Sequence, residues 1–259
     1  MAVVKAKKNL GQHFLTDQNI ARKIVESLSP DCSNVLEIGP GMGVLTQYLF
    51  QNSSFNTIAI DIDRESVAYL KEQFSEKSEQ IILGDFLRFD TNSLFNHASF
   101  AIIGNFPYNI SSQIFFKLLD NKDTITELVG MVQKEVAERL AAKPGSKTYG
   151  ILSVLLQAYY EIEYLFTVHE NVFKPPPKVK SAVIRLSRNN VKSLGCDEVL
   201  FKQLIKASFN QRRKMLRNSI KAFIQEEGFE YPFLTKRPEQ LSVADFVELT
   251  NVIKYAQNS

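Results

Sequence analysis

The sequence predicts an α/β protein: a mostly parallel seven-stranded sheet with helices on both faces and an antiparallel closing strand. A small all-helical domain follows it. Three observations carry this. Short apolar runs alternate with stretches of helical periodicity as far as Arg188. The last two strand-like runs are joined by a short loop holding Pro175, Pro176 and Pro177, a spacing that suits an antiparallel pair better than a crossover helix. Beyond a polar, glycine-containing linker over 189–196, only helical spacing remains. The expected domains are therefore 1–191 and 192–259.

Five buried strands are read in turn from Asn34–Gly39, Thr57–Asp61, Gln80–Gly84, Phe100–Gly104 and Leu128–Val132. Tyr160–Val168 and Ser181–Leu186 are read as the antiparallel pair that closes the sheet. Val44, Leu45, Tyr48 and Leu49 mark a helix after the first strand, and Val67, Leu70 and Phe74 mark another after the second. In the C-terminal part, Leu216, Ile220 and Phe223 form an apolar helix face.

The chain has 259 residues, of which 44% are apolar and 23% charged, the balance of a folded protein rather than a disordered one. No apolar run approaches the roughly 20 residues of a membrane span. The N-terminal stretch lacks the apolar core of a secretory signal. Two cysteines far apart and three scattered histidines make no zinc constellation, and they fit a reducing cytosol. Net charge is only +3, but seven basic residues between Phe201 and Lys221 have no acidic neighbour. That imbalance suits a polyanion-facing surface better than an ordinary mixed-charge one.

Candidate ligand chemistry gathers at the carboxyl ends of the strands, where open parallel sheets bind ligands. Gly39-Pro-Gly41-Met-Gly43 follows the first strand, with Glu37 just before it. The glycines permit close backbone approach, whereas the carboxylate disfavours a pyrophosphate and favours a cation. Read alone, the loop is also compatible with a plain tight turn. Asp61 ends the second strand and suits a pair of ribose hydroxyls. Asp63 is the better helix cap. Asp85 ends the third strand, placed to accept from an adenine amino group with Phe86 packed on the ring. Together these describe S-adenosylmethionine. NAD is the weaker reading, because its pyrophosphate conflicts with Glu37 and the glycine spacing is wrong.

Asn105-Phe-Pro-Tyr108 ends the fourth strand. An amide oxygen on Asn105 and the Phe106 carbonyl are two acceptors for one amino group, and they stabilise the positive charge that develops during methyl transfer. Pro107 stiffens the loop, and Tyr108 offers a face for a base. Phe173, before the three prolines, is the candidate for the opposite face. The chemistry requires no general base.

The glycine loop, Asp61, Asp85 and Asn105–Tyr108 together resemble the class I adenine-N6 methyltransferases, with their Rossmann-like fold. Asn9-Leu-Gly-Gln-His-Phe-Leu15, Leu36–Gly41, Asn105–Ser111, Phe173–Ser181 and Phe209–Ser219 resemble, more narrowly, the small-subunit ribosomal RNA adenine dimethyltransferases. The resemblance spans nearly the whole chain. It implies dimethylation of adjacent adenines in 16S rRNA, with S-adenosylmethionine converted to S-adenosylhomocysteine. It also implies a role in small-subunit biogenesis, with the protein acting as a cytoplasmic monomer. Cofactor contacts then fall on His13, Leu15, Gly39, Asp61, Asp85 and Asn105, with Glu37, Gly41 and Phe86 added from the residue chemistry. Many relatives carry Asn where His13 stands, which changes the donor pattern there. Arg212, Arg213, Lys214, Arg217 and Lys221 are the candidate RNA contacts, three of them spaced as a stripe along one helix. Two other readings share these features: a resistance-type methyltransferase of large-subunit rRNA, and an assembly factor that uses the fold mainly to bind.

Overall fold

The computed structural model describes residues 4–224 and 228–258. In chain order the elements are β1 (Phe14–Leu15), α1 (Gln18–Val25), β2 (Asn34–Ile38), α2 (Thr46–Gln51), β3 (Asn56–Asp61) and α3 (Arg64–Gln73). Next come β4 (Ile81–Leu83), β5 (Phe100–Asn105), α4 (Ser111–Asp120), β6 (Ile125–Gln133), α5 (Lys134–Leu140) and α6 (Ile151–Gln157). The last are β7 (Tyr160–Val168), β8 (Phe173–Lys174), β9 (Ser181–Arg188), α7 (Glu198–Asn210), α8 (Leu216–Ser219) and α9 (Val243–Asn258).

Seven strands form one sheet in the order β4-β3-β2-β5-β6-β9-β7. The pairs from β4 through β6 are parallel, while β9 runs antiparallel to β6 and is inserted between β6 and β7. The order reverses between β2 and β5, whose carboxyl ends carry the glycine loop and Asn105. The central strands are buried along almost their whole length, which explains why they read as continuous apolar runs without alternation. Among the described residues no helix is long and apolar enough to cross a membrane.

Two glycines admit one ring into this sheet. Gly104 of β5 lies opposite Gly130 of β6. A Cβ on Gly130 would run into Phe106 Cε2, and one on Gly104 would stand 2.8 Å from Phe106 Cε1. The Phe106 ring therefore rests where two side chains are missing, and it is 1% exposed. The Phe106 N–H donates to the Met131 carbonyl at 3.0 Å, fixing the peptide as well as the ring.

Two compact units are formed, Met1–Ala137 with Ile162–Arg188, and Glu138–Glu161 with Asn189–Ser259. The sequence predicts a single boundary at 191/192. Residues 138–161, including α6, instead belong with the helices. No local pattern marks that exchange, because α6 is defined by what it packs on. In the second unit, the Tyr149, Phe209 and Phe246 rings pack in series with centroids 6.2 and 6.1 Å apart.

The expected helix carrying Arg213, Arg217 and Lys221 together does not form. α7 ends at Asn210, Met215 is extended at ψ 152°, and α8 is a single turn. The Leu216 N–H is taken by the Lys236 carbonyl at 2.9 Å, a tertiary bond that replaces helix continuation. Leu216 and Ile220 are buried as expected of an apolar face, and Phe223 is only partly so. The helix expected from Val44 likewise begins later, at Thr46, because the glycine loop extends through turns to Leu45.

Candidate active site

A cleft of about 980 Å³, open to solvent, lies over the carboxyl ends of the strands in the first unit. Gly39, Gly41, Asp61, Asp85, Phe86 and Asn105 to Tyr108 all line it, together with His13. These residues are thus brought to one place by four strand ends and an N-terminal segment.

Gly39, Gly41 and Gly43 all have positive φ, which lets the loop turn tightly enough to face the cleft. The loop is held by Asp61, whose Oδ2 accepts from the Gly41 N–H at 3.2 Å and whose Oδ1 accepts from the Asp63 N–H at 2.9 Å. Burial raises the pKa of the Asp61 carboxyl, and these N–H groups offset only part of that rise. Each oxygen keeps a further lone pair for a hydroxyl. Asp63 caps α3 through the Glu65 N–H at 3.1 Å. It also accepts from Lys7 Nζ at 2.7 Å and Gln12 Nε2 at 3.3 Å. Burial opposes its ionisation, but Lys7 and Gln12 outweigh that and lower its pKa. This network ties the N-terminal segment to β3, and no local sequence pattern announces it.

Glu37 lies below the glycine loop and is 1% exposed. With Leu15 it lines a small adjoining space rather than the main cleft, and Gly39, Gly41 and Asn105 line both. Its Oε2 has no hydrogen-bond partner among the described residues. Burial pushes its pKa up to about 8; neighbouring Thr46 favours the charged form, and Asp61 disfavours it. A buried carboxylate with an unsatisfied oxygen is costly unless a cation or donor arrives. Phe14, not singled out from the sequence, lines both spaces, and its ring packs on Gly41, where a Cβ would meet Cε1 at 2.8 Å.

Asn105 Nδ2 donates to the His13 backbone carbonyl at 2.8 Å. His13 Nδ1 lies 2.8 Å from the Pro175 carbonyl, which can only accept, so Nδ1 carries the hydrogen. The imidazole stacks on Tyr108, with centroids 5.5 Å apart and planes inclined by 27°. The Tyr108 hydroxyl meets Ser181 Oγ at 2.6 Å. β1 and β8 pair Phe14 with Lys174 and Leu15 with Phe173, so the N-terminal motif and the proline loop are one structural piece.

Phe173 differs from its expected place. It is 2% exposed and packs in the core with Leu15, Val168 and Met131, so it offers no face to a base. Pairing of β8 with β1 turns the ring inward; the aromatic pair that reaches the cleft here is instead the half-buried Tyr108 and His13 stack. In the second unit, Arg212 is engaged internally. Its guanidinium donates to the Ser146 carbonyl at 3.4 Å and to the Lys147 carbonyl, and it lies 3.8 Å from Glu239. Arg213, Lys214, Arg217 and Lys221 are exposed and pair with no carboxylate among the described residues.

The fold and this site are those of a class I methyltransferase. The ribosomal RNA adenine dimethylase family model matches residues 3–255, and the chain belongs to that family. It is 59% identical over 256 residues to "Ribosomal RNA small subunit methyltransferase A" of Cytophaga hutchinsonii, covering 98% of this chain and 99% of that one. Among solved structures, a dimethyladenosine transferase from Plasmodium falciparum superposes with a TM-score of 0.79 at 25% identity, covering 95% of this chain and 98% of that one. The 23S rRNA methyltransferase ErmE superposes with a TM-score of 0.65 at 26% identity, covering 92% and 99%. The chain is accordingly a methyltransferase, and its methyl donor is S-adenosylmethionine. The residues present fit that donor, since the orphaned oxygen of Glu37 beside the glycine loop suits a cationic group.

Proposed function

We propose that this chain dimethylates the N6 amino groups of two adjacent adenines in small-subunit rRNA and acts in small-subunit biogenesis, as a monomer in the cytoplasm. Glu37, His13 and Leu15 flank the methionine end of the donor, with Gly39 and Gly41 against its chain. Asp61 takes the ribose hydroxyls, and Asp85 with Phe86 takes the adenine. When bound, the donor supplies an electrophilic methyl group on a sulfonium.

The adenine N6 lone pair is delocalised into its ring and is a poor nucleophile. Asn105 Oδ1 and the Phe106 carbonyl each accept one of its hydrogens, favouring a pyramidal nitrogen and stabilising its growing positive charge. Pro107 fixes the aim of both acceptors. The base lies against Tyr108, backed by His13. After transfer the cationic nitrogen is acidic enough to lose its proton to solvent. The observation that carries this reading is the bond from Asn105 Nδ2 to the His13 carbonyl, which leaves Oδ1 as the acceptor. In the second unit, Arg213, Lys214, Arg217 and Lys221 contact phosphates and position the RNA. Arg212 supports them by holding the 146–147 segment.

The test is transfer of labelled methyl groups to undermethylated small and large subunits purified separately. Label confined to the small subunit, as N6,N6-dimethyladenine, is expected. Label only in the large subunit overturns the substrate assignment, and label in neither favours a binding factor.

A further inference from the structure

We propose that Lys117 is a positioning residue for the adenine end of the cofactor site, holding from α4 the loop that bears Asp85 and Phe86. It rests on the assignment of those two residues to the adenine. The loop is a single closed turn. Asp85 Oδ1 accepts from the Leu87 N–H at 3.0 Å, and the Asp85 carbonyl accepts from Arg88 at 3.0 Å and Phe89 at 2.8 Å. A turn this short leaves carbonyls at its trailing end without helical partners. Lys117 Nζ supplies them, at 3.2 Å from the Leu87 oxygen and 2.5 Å from that of Phe89. The same ammonium stands 5.0 Å from the centre of the Phe86 ring.

One side chain thus engages three parts of the turn: the Phe86 ring and two carbonyls beyond it. Lys117 is half-buried, so it is not a solvated surface lysine. Burial lowers its pKa, and the charges of Asp85 and Asp90 oppose that shift. α4 also begins directly after the Asn105–Ile110 segment. The helix therefore carries the catalytic loop at its start and the anchor of the adenine turn less than two turns later, roughly 9 Å along its axis. The distance between the reacting nitrogen's acceptors and the adenine end is set by one rigid element.

Lys117→Met keeps the apolar stem and removes the donors. The expected result is a KM for S-adenosylmethionine about tenfold higher, in line with loss of charged hydrogen bonds. The kcat at saturating donor and the KM for RNA stay within about twofold. Calorimetric affinity for methylthioadenosine, which lacks the amino-acid end, falls by the same factor, and Lys117→Arg restores it. Unchanged methylthioadenosine affinity in Lys117→Met overturns the proposal, as does a fall in kcat with KM unmoved. If Lys117→Met does not fold, Lys117→Leu, which also lacks donors, is read the same way. Asp85→Asn is measured alongside: if it leaves methylthioadenosine binding intact, the adenine assignment itself fails, whatever Lys117 does.

Discussion

The Asn105 side-chain amide donates to the backbone carbonyl of His13 at 2.8 Å. A carbonyl has no hydrogen to give, so the nitrogen of the amide must face it and the oxygen must face away. The N-terminal segment thereby decides which end of the Asn105 amide is turned away from it. Replacing Asn105 with Ala should lower kcat by at least about 10²-fold, the scale found for a single electrostatic contact at a reacting centre. RNA affinity, measured by filter binding, should change by less than about twofold. Full activity in this variant would sink the mechanism.

Glu37 sets a pH dependence. Its carboxyl is pushed up to about 8 by burial, against an ordinary value of 4.5. Between those values the folded chain holds a proton that the unfolded chain has lost, so donor-free stability falls as pH rises through that window. A cationic donor favours ionised Glu37, so binding at pH 7 should release a proton. Calorimetry in buffers of different ionisation enthalpy reads this directly. Glu37→Gln should abolish the release and flatten the fall in stability. Equal proton release in both proteins would remove Glu37 from the cationic end.

Gly130 makes room for the Phe106 ring. Gly130→Ala places a methyl carbon against that ring and should destabilise the chain by about 1–3 kcal/mol, the usual cost of overpacking. It should also lower kcat by displacing the Phe106 carbonyl. Adding Phe106→Leu should recover much of the thermal stability. A melting temperature unchanged by Gly130→Ala would mean that the ring moves freely.

The basic residues of the second unit divide by partner. Neutralising Arg213 and Arg217 together should weaken RNA binding and reduce its salt slope by about 0.7–0.9 for each phosphate no longer neutralised. Arg212→Ala should instead lower thermal stability, since its guanidinium holds the Ser146 and Lys147 carbonyls. An unaltered salt slope in the Arg213 and Arg217 double variant would exclude them as phosphate contacts.

Much of the site is legible in order along the chain. The glycine loop, Asp61, Asp85 and Asn105 end successive strands, and in a parallel sheet such ends share one edge, so local pattern suffices. Phe173 and Arg212 are misplaced for the opposite reason. A ring beside prolines, or an arginine in an acid-free run, reads the same whether it faces a ligand or its own fold. Only the pairing of β8 with β1, and the carbonyls of residues 146 and 147, decide which.

Residue order alone is enough for the succession of strands and helices and for the placing of the glycine loop, Asp61, Asp85 and Asn105–Tyr108 at the ends of successive strands. These depend on residue types and on a two-fold or 3.6-fold period, which are local properties. Folding in three dimensions settles the orientation of the Asn105 amide, the proton position on His13, the fit of Phe106 over paired glycines, and the division that sends residues 138–161 to the helical unit. Each of these depends on groups distant in the chain meeting within bonding distance, and no local pattern encodes which distant group will arrive.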